Sequence, residues 1–231
     1  MASIFDRYGI KEVADVTFYD LGADEKPVLY LDTLKVSTTE QTAENTSARG
    51  GKGNPELIMW DYGKEITVTL EDALFSAKSM AMMYGSAILE PTSTAKKEIR
   101  RTVYKDAVSS DKTKVTINDV VYTCKSATPF EDNENWVDVV FETEDAMTIE
   151  ISADKFPGTY KVVGDTYARS ETTGEDEFFQ FIINKAKVLS EVTLTMEAEG
   201  DPSTFSMNLK VLRPGNGKPM MELVKYNLPT A

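Results

Sequence analysis

The chain has 231 residues, 41% of them hydrophobic, with 38 acidic against 25 basic side chains for a formal net charge of −13, one cysteine and no histidine. An internal disulfide and a Cys/His metal site are thereby excluded, because Cys124 has neither a second thiol nor an imidazole to share an ion with. The acidic balance argues against a protein that grips nucleic acid by neutralising its phosphates, and the apolar fraction suffices for one large all-β domain or two small ones.

No apolar run approaches the roughly 20 residues that a bilayer span needs, and the segment from Met1 to Tyr8 lacks the basic start and apolar centre of a signal peptide. The expectation is a soluble chain with no membrane partner that is not exported by that route and assembles in the cytosol.

Along the chain, period-two alternation first predicts a strand at 28–31. Residues 37–55 follow, with almost nothing apolar to bury, and read as a long flexible loop. At its end Arg49, Gly50, Gly51 and Lys52 combine two cations with backbone that a partner can approach closely. They do not make a phosphate loop, which needs Gly-Lys-Ser/Thr opening a helix, whereas Gly53, Asn54 and Pro55 follow Lys52 here. Trp60 is expected to anchor a core, and a strand is predicted at 66–70.

Residues 77–84 form the one predicted helix of note, with Ser76 as N-cap, Gly85 as left-handed terminator, and Ala77, Met80, Ala81 and Tyr84 as its apolar stripe. Further strands are predicted at 115–117, 137–141, 147–151, 160–163, 179–183, 192–196 and 205–211, about ten in all. Cys124 lies in a strand-like context and reads as a buried or half-buried structural thiol. Residues 164–177 read as an exposed connection rich in acids. Residues 192–211 read as a hairpin turning at 200–203, with Val192, Leu194 and Met196 lining one face of its first strand and Phe205, Met207, Leu209 and Val211 lining one face of its second. The fold class expected is mainly β: an antiparallel sandwich or barrel in a single domain, 1–231, with one short flanking helix.

Catalytic chemistry finds no foothold. Nucleophile and base arrangements usually recruit histidine. The acidic groups at Glu71 with Asp72, Glu142 with Asp145, and Glu175 with Glu177 lack the spacing of a calcium loop and read as solvated turns. No catalytic, cofactor or metal residue is assigned, and the chain is not expected to be an enzyme.

Two blocks carry a family resemblance. Residues 56–76, with the helix after them, and residues 179–187 continuing through 198–202 to Leu212, together resemble the major tail tube protein of long-tailed bacteriophages. The central region 95–170 resembles that family only in being strand-rich, and is expected to be an enlarged or decorated part. The resemblance implies a β-sandwich subunit whose copies pair edge to edge into a hexameric ring, with rings stacked into the tube that carries DNA into the host. It implies a virion tail protein assembled in the host cytoplasm. Its chief partner would be itself, with tail terminator, tape measure, sheath or baseplate proteins as others, and DNA would pass through without specific binding. On this sequence the loop 37–55 would reach between rings, with Arg49, Gly50, Gly51 and Lys52 at the contact. Thr193, Thr195, Glu197 and Glu199 are candidates to face the lumen, alongside Ser206, Asn208 and Lys210. The alternative reading is a virion decoration or carbohydrate-binding β-sandwich, for which Trp60 and Trp136 could supply an aromatic platform.

Overall fold

A computed structural model describes residues 7–192, 204–215 and 217–228, and the structural statements below refer to those residues. Their contacts divide into two compact units, Met1–Ala87 with Ile151–Ala231, and Ile88–Glu150. The first unit opens with β1 (Tyr8–Ile10), β2 (Asp15–Tyr19), β3 (Pro27–Leu31), β4 (Leu34–Arg49) and β5 (Glu56–Asp72), then the helix α1 (Ala77–Tyr84). The second unit holds β6 (Ile88–Leu89), β7 (Lys97–Tyr104), β8 (Lys114–Ile117), β9 (Val120–Thr123), β10 (Ser126–Pro129), β11 (Trp136–Thr143) and β12 (Thr148–Ile149). The chain then completes the first unit with β13 (Thr159–Ser170), β14 (Asp176–Val188), β15 (Phe205–Val211) and β16 (Met221–Tyr226). The protein is mainly β, its ladders are antiparallel, and α1 is the one α-helix among the described residues.

In the first unit the strands run in the order β3-β2-β13-β14-β15-β5-β4, with β1 beside β13 and β16 beside β14. Only Asp32 and Thr33 separate β3 from β4, yet these strands lie at opposite ends of the sheet. Three peptide steps span at most about 11 Å, so the sheet must curl until its outer strands meet at that corner. Asp72 fastens the corner: its buried carboxylate accepts a 2.5 Å hydrogen bond from the Thr33 hydroxyl and a 3.2 Å bond from the Leu74 amide.

Curling leaves one face inside. Alternate residues of β5 (Ile66, Val68, Leu70) and β15 (Met207, Leu209, Val211) join Val16, Phe18, Val162 and Ile183 in a continuous core. Fully burying each such side chain contributes on the order of 1.5–3 kcal/mol. The strand expected at 205–211 is present with its alternation intact, Phe205, Met207, Leu209 and Val211 buried and Ser206, Asn208 and Lys210 half-exposed.

Helix α1 covers the core with the ends read from the sequence. Ser76 and Ser79 form a reciprocal capping box, and Gly85 terminates the helix at φ 69°, its own amide and that of Ser86 bonding Met82 and Ala81. The buried face differs from the expected stripe: Ser79, Ala81, Met82 and Met83 are buried, while Ala77, Met80 and Tyr84 are half-exposed. With apolar residues at 80–84 the helix has no single apolar side, so contact with the sheet rather than composition sets its rotation.

Two segments expected as irregular are instead strand. Residues 37–49 of the predicted loop belong to β4, leaving only 50–55 as a turn. The acidic connection at 164–177 is mostly ladder, Gly164↔Phe181 through Arg169↔Asp176, with 171–175 as its turn. Both stretches carry polar side chains on both faces, so neither shows the apolar alternation that marks a half-buried strand. The hairpin strand expected at 192–196 and its turn at 200–203 lie, apart from Val192, outside the described residues.

The second unit is small and closes on itself. Strands β10, β11 and β7 form a sheet, and β8 and β9 form a hairpin whose turn residues Asn118 and Asp119 adopt φ 49° and 63°, as a two-residue primed turn requires. Val115, Cys124, Ala127, Val137 and Val139 make its core, with Val103, Val108, Ile117 and Phe141 packed against them. Cys124 is buried there as expected, its thiol 3.4 Å from the Lys112 carbonyl. The chain enters and leaves through a narrow neck, where β6 pairs with β12 at Ile88↔Ile149 and Leu89↔Thr148. Of the central region 95–170, residues 159–170 belong instead to β13 in the first unit's sheet.

Candidate functional site

The feature least suited to a solitary molecule is the β4–β5 hairpin. Near its base Thr42 pairs with Glu65, a bulge follows in which Gly63 takes φ 62°, and pairing resumes from Glu44↔Tyr62 outward to Arg49↔Glu56. The turn at 50–55 is held by the Gly50 amide on the Pro55 carbonyl and the Asn54 amide on the Gly51 carbonyl, both at 3.1 Å, with Gly51 and Gly53 at φ 86° and 84°. From Glu44 to the turn this arm is roughly 20 Å long at the usual rise per residue.

The arm exposes both faces and both edges. Leu57, Ile58, Met59, Trp60 and Tyr62 are all more than half exposed, Trp60 at 52% rather than in the core where the sequence placed it. Ile58, Trp60 and Tyr62 share one face, Leu57 and Met59 the other, because side chains alternate along a strand. Among the described residues the outer edge of β4 has no partner strand, and β5 meets β15 only from Thr67 onward. An isolated two-stranded ribbon is marginally stable in water, and a bare edge with apolar neighbours is a template for another chain.

Of the four expected contact residues, all are on this arm. Arg49 is already engaged with its own hairpin, its guanidinium 3.1 Å from Glu56 and 3.5 Å from the Ser47 hydroxyl. Gly50 and Gly51 form the turn, and Lys52 is exposed at the tip with no ion pair among the described residues. The apolar run from Leu57 to Tyr62 was not among the expected contacts, although its strand character and lack of burying partners on the opposite strand were there to be read.

Two other surfaces of the first unit adjoin the arm's base. Where β4 faces β16 and the segment after β1, the sheet leaves an open cleft of about 670 Å³ that reaches core side chains, lined by Ile10, Val13, Ile66, Phe181 and Met221 among others. The outward face of β4, β5 and β15 is polar, with Thr38, Thr69 and Asn208 in one row and Glu40, Thr67 and Lys210 in the next. Thr69 bonds Asn208 at 3.0 Å, and Lys210 pairs with Glu65 at 2.9 Å. Thr193, Thr195, Glu197 and Glu199 lie outside the described residues.

Among the described residues no three Asp, Glu, Cys or His side chains converge to hold a metal ion. Among the described residues the first unit thus presents an exposed two-stranded arm whose outer portion pairs with no further strand, and a polar sheet face. A protein-family model described as the YomU/Tube protein family matches the chain over residues 8–122 and over residues 102–222. No curated protein matches it.

Proposed function

Because the chain belongs to the YomU/Tube protein family, we propose that it is the subunit of a phage tail tube, a structural protein of the virion whose copies close into hexameric rings that stack into a channel for DNA. The observation that carries this reading is the solvent-exposed arm, whose edges and apolar side chains meet no neighbour among the described residues of its own unit. Edge pairing between copies would complete ladders left open in one copy, as ring closure removes free edges from any sheet. The arm, with Lys52 at its tip and the Leu57–Tyr62 run along it, would bridge to a copy in the next ring. Such a role calls for no catalysis. Its partners are other copies of itself and, at the tube's ends and surface, terminator, tape measure, and sheath or baseplate proteins.

The polar face of β4, β5 and β15 is our candidate for the channel wall. A lining that bound phosphates would resist sliding, whereas acids keep a polyanion centred by repulsion, and the chain's net charge of −13 suits that task. Glu40 and Glu71 lie on this face. Replacing both with Lys is expected to slow DNA ejection at low ionic strength and to leave tube assembly intact; ejection kinetics that do not respond to salt in the variant would place this face elsewhere.

Negative-stain electron microscopy of the purified, concentrated protein tests the main reading. Hollow filaments with a regular axial repeat are expected. Monodisperse monomers at every concentration would overturn it.

A further inference from the structure

The inserted unit's three-stranded sheet has two unlike faces. Val103, Val137, Val139, Phe141 and Ala127 point into the unit's core. The register sets the alternate residues on the outward face: Tyr104 opposite Trp136, then Thr102, Asp138 and Thr128 in a row, then Arg100, Val140 and Ser126, then Glu98 and Glu142. Tyr104 and Trp136 form the ladder's last pair, at the end away from the neck strands in the chain's path. Their rings meet edge to face, with centroids 5.6 Å apart and planes at 84°, and each residue is 45% exposed.

The charges on this face are paired with one another and leave one acid in excess. Arg100 pairs with Asp138 at 2.9 Å, and Lys125 bridges Glu98 and Glu142 at 2.5 and 2.6 Å. The hydrogen bonds that Lys125 donates to Glu142 and then Glu98 raise its ammonium above the ordinary lysine range, which keeps it charged. A polyanion or polycation would find little uncompensated charge here. A second copy of the chain would favour an apolar centre depleted of charge, whereas this face has its rings at one end, a buried Val140, and ion pairs and hydroxyls along the rest.

We propose that this outward face of the inserted unit binds a polysaccharide with uncharged sugar rings. The C–H face of a pyranose stacks on an open aromatic ring, and its vicinal hydroxyls need donors and acceptors side by side. Trp136 and Tyr104 supply the rings; Arg100 with Asp138, flanked by the Thr102 and Thr128 hydroxyls, supplies the donors and acceptors. From Tyr104 to Arg100 the strand runs about 13 Å, room for more than one sugar along the sheet. Such binding is additional to tube building and would hold a tail against a glycan-coated surface.

The full-length protein is sedimented with insoluble chitin, cellulose and peptidoglycan sacculi, and tube formation is scored separately by microscopy. Retention on at least one of the three, unaffected by high salt, is expected, and Trp136→Ala should weaken it about tenfold or more without shifting the melting curve. Should Trp136→Ala melt early, Arg100→Ala at the exposed rim takes its place, with a severalfold loss expected. No retention of the native protein on any of the three overturns the proposal, as does retention that salt abolishes or that both variants leave unchanged. Loss of tubes in Trp136→Ala without any polysaccharide retention would assign the face to contacts between copies. A native protein that builds tubes and ignores all three glycans sinks this inference alone.

Discussion

Excising residues 43–64 and closing Thr42 to Glu65 with Asn-Gly should give a folded monomer that no longer builds tubes. Thr42 and Glu65 are register partners, and a two-residue primed turn is the natural closure for that pair. The body should lose little stability, because residues 56–65 are exposed throughout and none of 43–64 belongs to the core. Assembly should lose nearly everything. An aromatic anchor at the centre of an interface is commonly worth 2 kcal/mol or more, a factor of about 30 in affinity, and the excision removes Trp60, Tyr62, Leu57 and Ile58 together from every copy. Melting temperature, sedimentation velocity and negative-stain microscopy are read side by side. Tubes of normal abundance would remove the arm from assembly; a monomer that fails to melt cooperatively would show the arm to be part of the fold.

A second large effect is expected at the end of α1. Gly85 sits at φ 69°, and a Cβ built there would lie 2.2 Å from the Phe156 carbonyl carbon and 2.5 Å from the Pro157 nitrogen. Those are backbone atoms and cannot swing aside as a side chain would. Gly85→Ala therefore combines a left-handed backbone penalty with a clash that must push the helix end from the 156–157 segment, a cost of about 3–5 kcal/mol. For a chain of this size that lowers the melting temperature by roughly 6–20 °C. Gly174→Ala is the control: φ is 73° but nothing lies within 4 Å of the added carbon, so about 1 kcal/mol is expected. Equal melting temperatures for the two variants would contradict the packing described at Gly85.

The contrast between what could and could not be read from the residues has physical causes. Ile66, Val68 and Leu70 announce themselves because one face of β5 is buried there and Thr67 and Thr69 are not. The same strand ten residues earlier is exposed on both faces, so Trp60 looked like a core anchor by type alone. Strand β4 was missed because Thr, Glu, Gln and Asn occupy both of its faces, and its pairing is dictated by β5 rather than by its own pattern. Ser76 and Gly85 fixed the helix ends through local capping chemistry, while its buried side had to await tertiary contact. The boundaries of the inserted unit were illegible since its neck strands have two residues each, too few to carry any period. At the arm, the glycine turn was visible and the apolar run that flanks it was undervalued.

The neck itself has a practical consequence. Antiparallel partners sit about 5 Å apart, so Leu89 and Thr148 present two chain ends already side by side. Any compact domain whose own termini lie that close could be spliced between them at modest loop-closure cost, and residues 90–147 now there are one tenant of an exchangeable socket. In an assembly of many such subunits, each copy would then carry whatever is plugged in.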